Sequence, residues 1–111
     1  MVTNGAARID AETRSIVDRI VDYRIPKRVI LFGSRGRGDA RPDSDVDLCV
    51  LYEKLEKRNI EVMQDLYLRI FGHGGHPVDL VVYEEGAFAE RAMKPGSFEA
   101  AIESQGVAVY G

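Results

Sequence analysis

The sequence predicts a small layered α/β domain. Two observations carry that expectation. Stretches with apolar residues at helical spacing alternate along the chain with short runs of β-branched and other apolar residues, the pattern of helices packed on a sheet. A length of 111 residues also holds one hydrophobic core and little more. Hydrophobic content of 45% beside 30% charged residues is that of an ordinary soluble globular chain, because a disordered one would be poorer in apolar residues.

Taken in order, residues 1–8 are small and polar and are expected to be frayed, leaving 9–111 as a single domain. Over 10–24, Ile16, Val17, Ile20 and Val21 recur at helical spacing behind a possible Asp10 N-cap, and Pro26 stops that helix. A strand follows over 28–32. Residues 34–38 open a short helix, 39–44 form a loop around Pro42, and 45–52 form a second strand. The longest helix is expected over 53–71, with Ile60, Met63, Tyr67, Ile70 and Phe71 on one face and Gly72 as a left-handed stop. A glycine-rich turn leads to a third strand, His76 to Tyr83. Beyond it come a short helix around 87–92, a break at Pro95-Gly96, a helix capped by Ser97 and ended by Gly106, and a closing edge strand over 107–110.

The stretch that points to chemistry is GSRGRGDARPDSDVDL, residues 33–48, set between two apolar runs. Asp45 and Asp47 are two apart on the expected strand, so both side chains leave the sheet on one face. At about 4 Å and an effective dielectric near 20 such charges repel by roughly 4 kcal/mol, which a hard divalent cation, Mg²⁺ or Mn²⁺, relieves while holding nucleotide phosphates. Gly33-Ser34 at the strand end suits the same anion, through close backbone N–H groups and a hydroxyl. Asp79 is the charge inside the third apolar run, and if that strand lies beside the second, three carboxylates converge on a metal pair suited to in-line displacement at phosphorus.

Each residue also has a plainer reading. Asp45 and Asp47 can belong to a solvated acidic turn, and Asp79 can pair with an arginine or cap a helix. Ser34 can serve as an N-cap while facing phosphates. Arg35 and Arg37 are either exposed solubilising charges or neutralise a leaving pyrophosphate. His73 and His76 lack a third ligand and read as a solvated loop. Lys54, Lys57 and Arg58 read as a solvated basic patch early in the long helix, with Glu53 and Lys57 as an i,i+4 pair. Cys49, the single cysteine, excludes an internal disulfide and reads as a small buried hydrophobe on the Asp47 side of its strand. A net charge of −3 argues against a long nucleic acid as the main substrate. Strand-sized apolar runs and an opening without a charged-then-apolar leader predict no membrane span and a cytoplasmic protein.

The pattern G-S-x10-D-x-D with a later strand aspartate resembles the minimal nucleotidyltransferase (MNT) family of the DNA polymerase β-like superfamily, over most of the chain. The resemblance implies an αβαβαβ core with a small mixed sheet, an α+β variant of the α/β class. It implies metal ligation and catalysis by Asp45, Asp47 and Asp79, and nucleotide binding by Gly33, Ser34, Arg35 and Arg37. It also implies ATP as donor, with Mg²⁺ in a two-metal site. Gly36 stands where relatives carry alanine, a change expected to weaken the helix start by about 1 kcal/mol. Within the family the resemblance implies an antitoxin of a toxin-antitoxin system that transfers AMP to a tyrosine of a HEPN-domain ribonuclease toxin. Two other readings stand beside it: a binding module that neutralises its partner by occlusion, and a small-molecule nucleotidyltransferase acting as a homo-oligomer.

Overall fold

A computed structural model describes residues 9–72 and 75–111, so the expected frayed residues 1–8 and His73 lie outside the described residues. Its elements are α1 (Ala11–Tyr23), β1 (Arg28–Phe32), α2 (Gly33–Arg37), β2 (Val46–Tyr52), α3 (Asn59–Ile70), β3 (Val78–Glu84), α4 (Glu85–Ala92), α5 (Phe98–Gln105) and β4 (Val107–Tyr110). The first six form the expected αβαβαβ run. The four strands make one mixed sheet in the order β3-β2-β1-β4. β1 is antiparallel to both β2 and β4, whereas β2 and β3 are parallel.

Local signals set most of the boundaries. Asp10 caps α1, its Oδ1 accepting from the Thr13 N–H at 2.8 Å, and Ser97 caps α5 by accepting from the Ala100 N–H at 3.0 Å. Each such cap is worth about 1 kcal/mol. Gly72, at φ +82°, follows α3 in the left-handed region that glycine occupies without a Cβ penalty.

Alternation along the strands splits the core in two. Val29 and Leu31 of β1, Val46, Leu48, Val50 and Tyr52 of β2, and Leu80 and Val82 of β3 point to one face. There they pack against Ile16, Val17 and Ile20 of α1 and Val62, Leu66 and Ile70 of α3. Ile30, Cys49 and Leu51 point to the other face and pack against Phe88 of α4 and Ile102 of α5.

The long helix differs from expectation. It begins at Asn59, so α1, with 13 residues, is longer than α3, with 12. Residues 53–58 are instead drawn onto neighbouring elements: the Leu55 N–H donates to Glu84 Oε2 at 2.9 Å, Arg24 donates to the Lys54 carbonyl, and the Asn59 amide donates to the Val82 carbonyl. Those bonds replace the first turns of a helix. The basic residues Lys54, Lys57 and Arg58 therefore precede the helix, and Lys57 pairs with Asp65 while Glu53 pairs with Lys27. The buried stripe of α3 is Val62, Leu66 and Ile70, with Met63 and Tyr67 half-buried, while Ile60 and Phe71 are 44% and 84% exposed. No helix among the described residues is long and apolar enough to cross a membrane.

Candidate active site

The parallel pairing of β2 and β3 places Asp47 directly beside Asp79, and the antiparallel pairing of β1 and β2 places Phe32 opposite Asp47. All three belong to the face that carries Cys49, Leu51 and Val81. Asp47 is half-buried and Asp79 is exposed on the edge strand. Burial pushes the Asp47 carboxyl above its ordinary range. The charge of Asp79 and a hydrogen bond with it act in the same direction, as does the charge of Asp45, against a smaller opposing pull from Arg35. Asp45 itself lies one residue before β2 and is exposed, so it enters the site from the loop and not from the strand as expected. Among the described residues no three His, Cys, Asp or Glu side chains close around a metal position. The arrangement is a carboxylate pair, Asp47 and Asp79, with Asp45 near enough to add its field.

Gly33 joins this pair to α2. Its φ is +66°, and a Cβ placed on it would lie 2.1 Å from Asp47 Oδ2. Glycine is thus required twice, by conformation and by space, and the Asp47 carboxylate rests against the first residue of the helix. Ser34 is the second residue of α2, and the N-cap is Phe32, which makes no side-chain capping bond. The N-cap reading of Ser34 is therefore corrected. Gly36 also differs from expectation: a Cβ there would meet the Leu31 carbonyl oxygen at 2.5 Å, so the short helix lies too close to β1 for alanine. Close approach outweighs the helix-propensity penalty of glycine.

The two arginines part company. Arg35 has a side chain only 12% exposed. Its Nε and one terminal nitrogen donate to the Ser44 carbonyl, its Nε also to the Asp45 carbonyl, and its other terminal nitrogen to Asp10 Oδ2 at 3.0 Å. It clamps the loop that delivers Asp45 to the cap of α1, so each of its three nitrogens already donates to the scaffold. Arg37 is exposed, with one contact to Asp39 at 3.4 Å, and remains able to reach an anion.

One contact was invisible in the sequence. Glu12 Oε2 accepts from the Gly75 and His76 N–H groups at 2.9 and 3.0 Å, and its Oε1 lies 2.6 Å from His76 Nδ1. His76 is thus anchored to α1 instead of sitting in a solvated loop, and the chain entering β3 ahead of Asp79 is held. The partners are 64 positions apart, and no local pattern announces them. Cys49 is fully buried, and burial pushes its thiol up to about 12, so it is an inert packing residue.

The donor set suits a hard divalent cation. It consists of carboxylate oxygens alone, whose mutual repulsion adds to burial in raising the Asp47 carboxyl, and it opens to solvent at Asp79. A cation between them would remove the repulsion that protonation otherwise relieves.

Comparison with known proteins agrees with this fold. A family model described as a nucleotidyltransferase domain matches residues 11–105. A Methanocaldococcus jannaschii protein provisionally named a protein adenylyltransferase is 34% identical over 70 residues, which cover 60% of this chain and 48% of that protein. The chain thus spans about half the length of that relative. A crystal structure from Sulfolobus solfataricus, provisionally described as a nucleotidyltransferase, aligns with a TM-score of 0.58 at 25% identity, covering 78% of this chain and 77% of the other.

Proposed function

The chain belongs to the nucleotidyltransferase domain family of enzymes, and on that premise we propose that it transfers AMP from ATP to a hydroxyl of a partner protein. The partner in this reading is a HEPN-domain ribonuclease toxin modified on a tyrosine, which makes the chain an antitoxin. The observation that carries the transfer chemistry is the register of Asp47 with Asp79 beside a glycine that only its missing Cβ allows. The name of the Methanocaldococcus jannaschii relative supports a protein as acceptor.

In this reading the acceptor oxygen forms a bond to the α-phosphorus of ATP, the bond from that phosphorus to the bridging oxygen breaks, and pyrophosphate leaves with the electron pair. Asp79, exposed at the edge of the sheet, meets the acceptor hydroxyl and takes its proton. Asp47 and Asp79 would hold Mg²⁺ or Mn²⁺, with Asp45 brought to the cation from its loop. Bound there, the cation supplies charge neutralisation for the triphosphate and lowers the pKa of the attacking hydroxyl. Gly33 and Ser34 offer backbone N–H groups and a hydroxyl to the phosphates, and Arg37 is placed to neutralise the leaving pyrophosphate. Arg35 keeps the Asp45 loop in position.

The test is the intact mass of the adjacent gene's product after co-expression with this chain or with its Asp45→Asn, Asp47→Asn double variant. An adenylyl-sized increment present with the native chain and absent with the variant is expected. A partner that co-purifies unmodified with both would replace transfer by occlusion, and failure to co-purify would move the acceptor to small molecules.

A further inference from the structure

Beside the carboxylate pair, on the β1 side, lies an open cavity of about 210 Å³ whose lining includes Phe32, Gly33, Arg37, Phe98 and Gln105. Phe98, the first residue of α5, is 53% exposed. Its ring stands edge-on to that of Phe32, with centroids 5.7 Å apart at 82°, so the pair forms an L-shaped apolar corner. Phe32 is in turn opposite Asp47 in the sheet, which makes the corner continuous with the site. Gln105, the last residue of α5, is exposed at the same cavity and brings a carboxamide with one acceptor and a donor pair.

We propose that this corner is the nucleobase subsite of the donor nucleotide and that Gln105 selects adenine. The inference rests on the nucleotidyl-transfer reading above and adds to it where the base lies and why ATP is preferred. The order of strands decides which substrate enters here. The cavity shares Gly33 and Arg37 with the phosphate side of the site, whereas the acceptor side is the opposite edge, where Asp79 is exposed on β3. A purine lying on Phe98 covers the exposed ring, a contact of the kind that holds bases on aromatic platforms. The donor and acceptor of a carboxamide match the N6 and N7 edge of adenine, while guanine presents two acceptors there.

The experiment is titration calorimetry of the full chain with ATP, GTP and inorganic tripolyphosphate in Mg²⁺. The Phe98→Ala variant is expected to bind ATP about tenfold more weakly with tripolyphosphate affinity unchanged, and Phe98→Tyr to restore ATP binding. Gln105→Leu is expected to bring ATP and GTP affinities together. Unaltered ATP affinity in Phe98→Ala, with tripolyphosphate still bound, overturns the subsite alone. A wild-type chain that binds neither ATP nor tripolyphosphate overturns the underlying phosphate-site reading and the subsite with it. Equal loss of ATP and tripolyphosphate binding in Phe98→Ala, without rescue by Phe98→Tyr, also overturns the subsite.

Discussion

The two faces of the sheet are built by the same strands and serve different ends. On the face covered by α1 and α3, β2 contributes Val46, Leu48, Val50 and Tyr52, all buried along the full length of the strand. On the other face the same strand contributes Cys49 and Leu51 beneath α4 and α5, and also Asp47. One residue of register separates the apolar layer from the carboxylate pair, because successive side chains point to opposite faces. The first face is closed and apolar and supplies stability. The second carries, beyond its apolar cluster, like charges whose repulsion a bound cation would relieve.

The sharpest way to break that comparison is Asp47→Asn. Transfer should fall by about 10³-fold or more, on the order of 4 kcal/mol in the barrier, as measured by nucleotidyl incorporation. Stability should move the other way. The folded-state carboxyl of Asp47 titrates above its ordinary 3.8. Stability tied to it is therefore fully present below the unfolded value and is lost as pH rises through the raised one. At neutral pH and without metal, the Asn variant should melt at or above the wild-type temperature, and a clear drop would mean that Asp47 is a structural residue.

On the opposite face, Leu48→Ala should lower stability by about 3 kcal/mol and the melting temperature by on the order of 10 °C. Activity per folded molecule should be nearly unchanged when assayed well below the transition. Loss of activity out of proportion to unfolding would show that the two faces are not separable.

A smaller effect sharpens the boundary between scaffold and site. Arg35→Ala removes donors to the Ser44 and Asp45 carbonyls and to Asp10, and should cost about 1–3 kcal/mol in a denaturant titration. Tripolyphosphate affinity of the folded variant should hold, whereas Arg37→Ala should weaken it. The reverse ranking would return Arg35 to the phosphate site.

The smallest effect concerns the anchor ahead of β3. Burial raises the Glu12 carboxyl, but hydrogen bonds from the His76 ring and backbone, its charge, and the Gly75 N–H more than offset that and hold it below its ordinary 4.5. Its contribution is therefore present above about that pH and is lost as pH falls through the lower folded value. Glu12→Gln should cost about 1 kcal/mol at pH 7 and less below pH 4, read from melting temperatures across that range.

Most of the fold was legible because its signals are local. The caps at Asp10 and Ser97, the strands at Arg28–Phe32 and Val107–Tyr110, and the left-handed Gly72 follow from hydrogen-bond valence and backbone sterics within a few residues. The start of α3 was not, because residues 53–58 have a helical composition that loses to bonds offered by Arg24, Val82 and Glu84 from other elements. Of the site, the aspartates and Gly33 could be picked out by spacing. The division of labour between Arg35 and Arg37 could not, since both are arginines on one short helix and differ only in what lies opposite them.

The sequence alone determined which residues can share a face and where charge interrupts an apolar strand, since those follow from the twofold and 3.6-fold repeats of the backbone. Tertiary structure decided which strand lies beside which, and so that Asp47 meets Asp79, that Glu12 holds His76, and that Gly36 has no room for alanine. Local geometry acts over a few bonds and is written in neighbours. Partner choice is set by close packing among elements distant in the chain, where tenths of an ångström separate a fit from a clash.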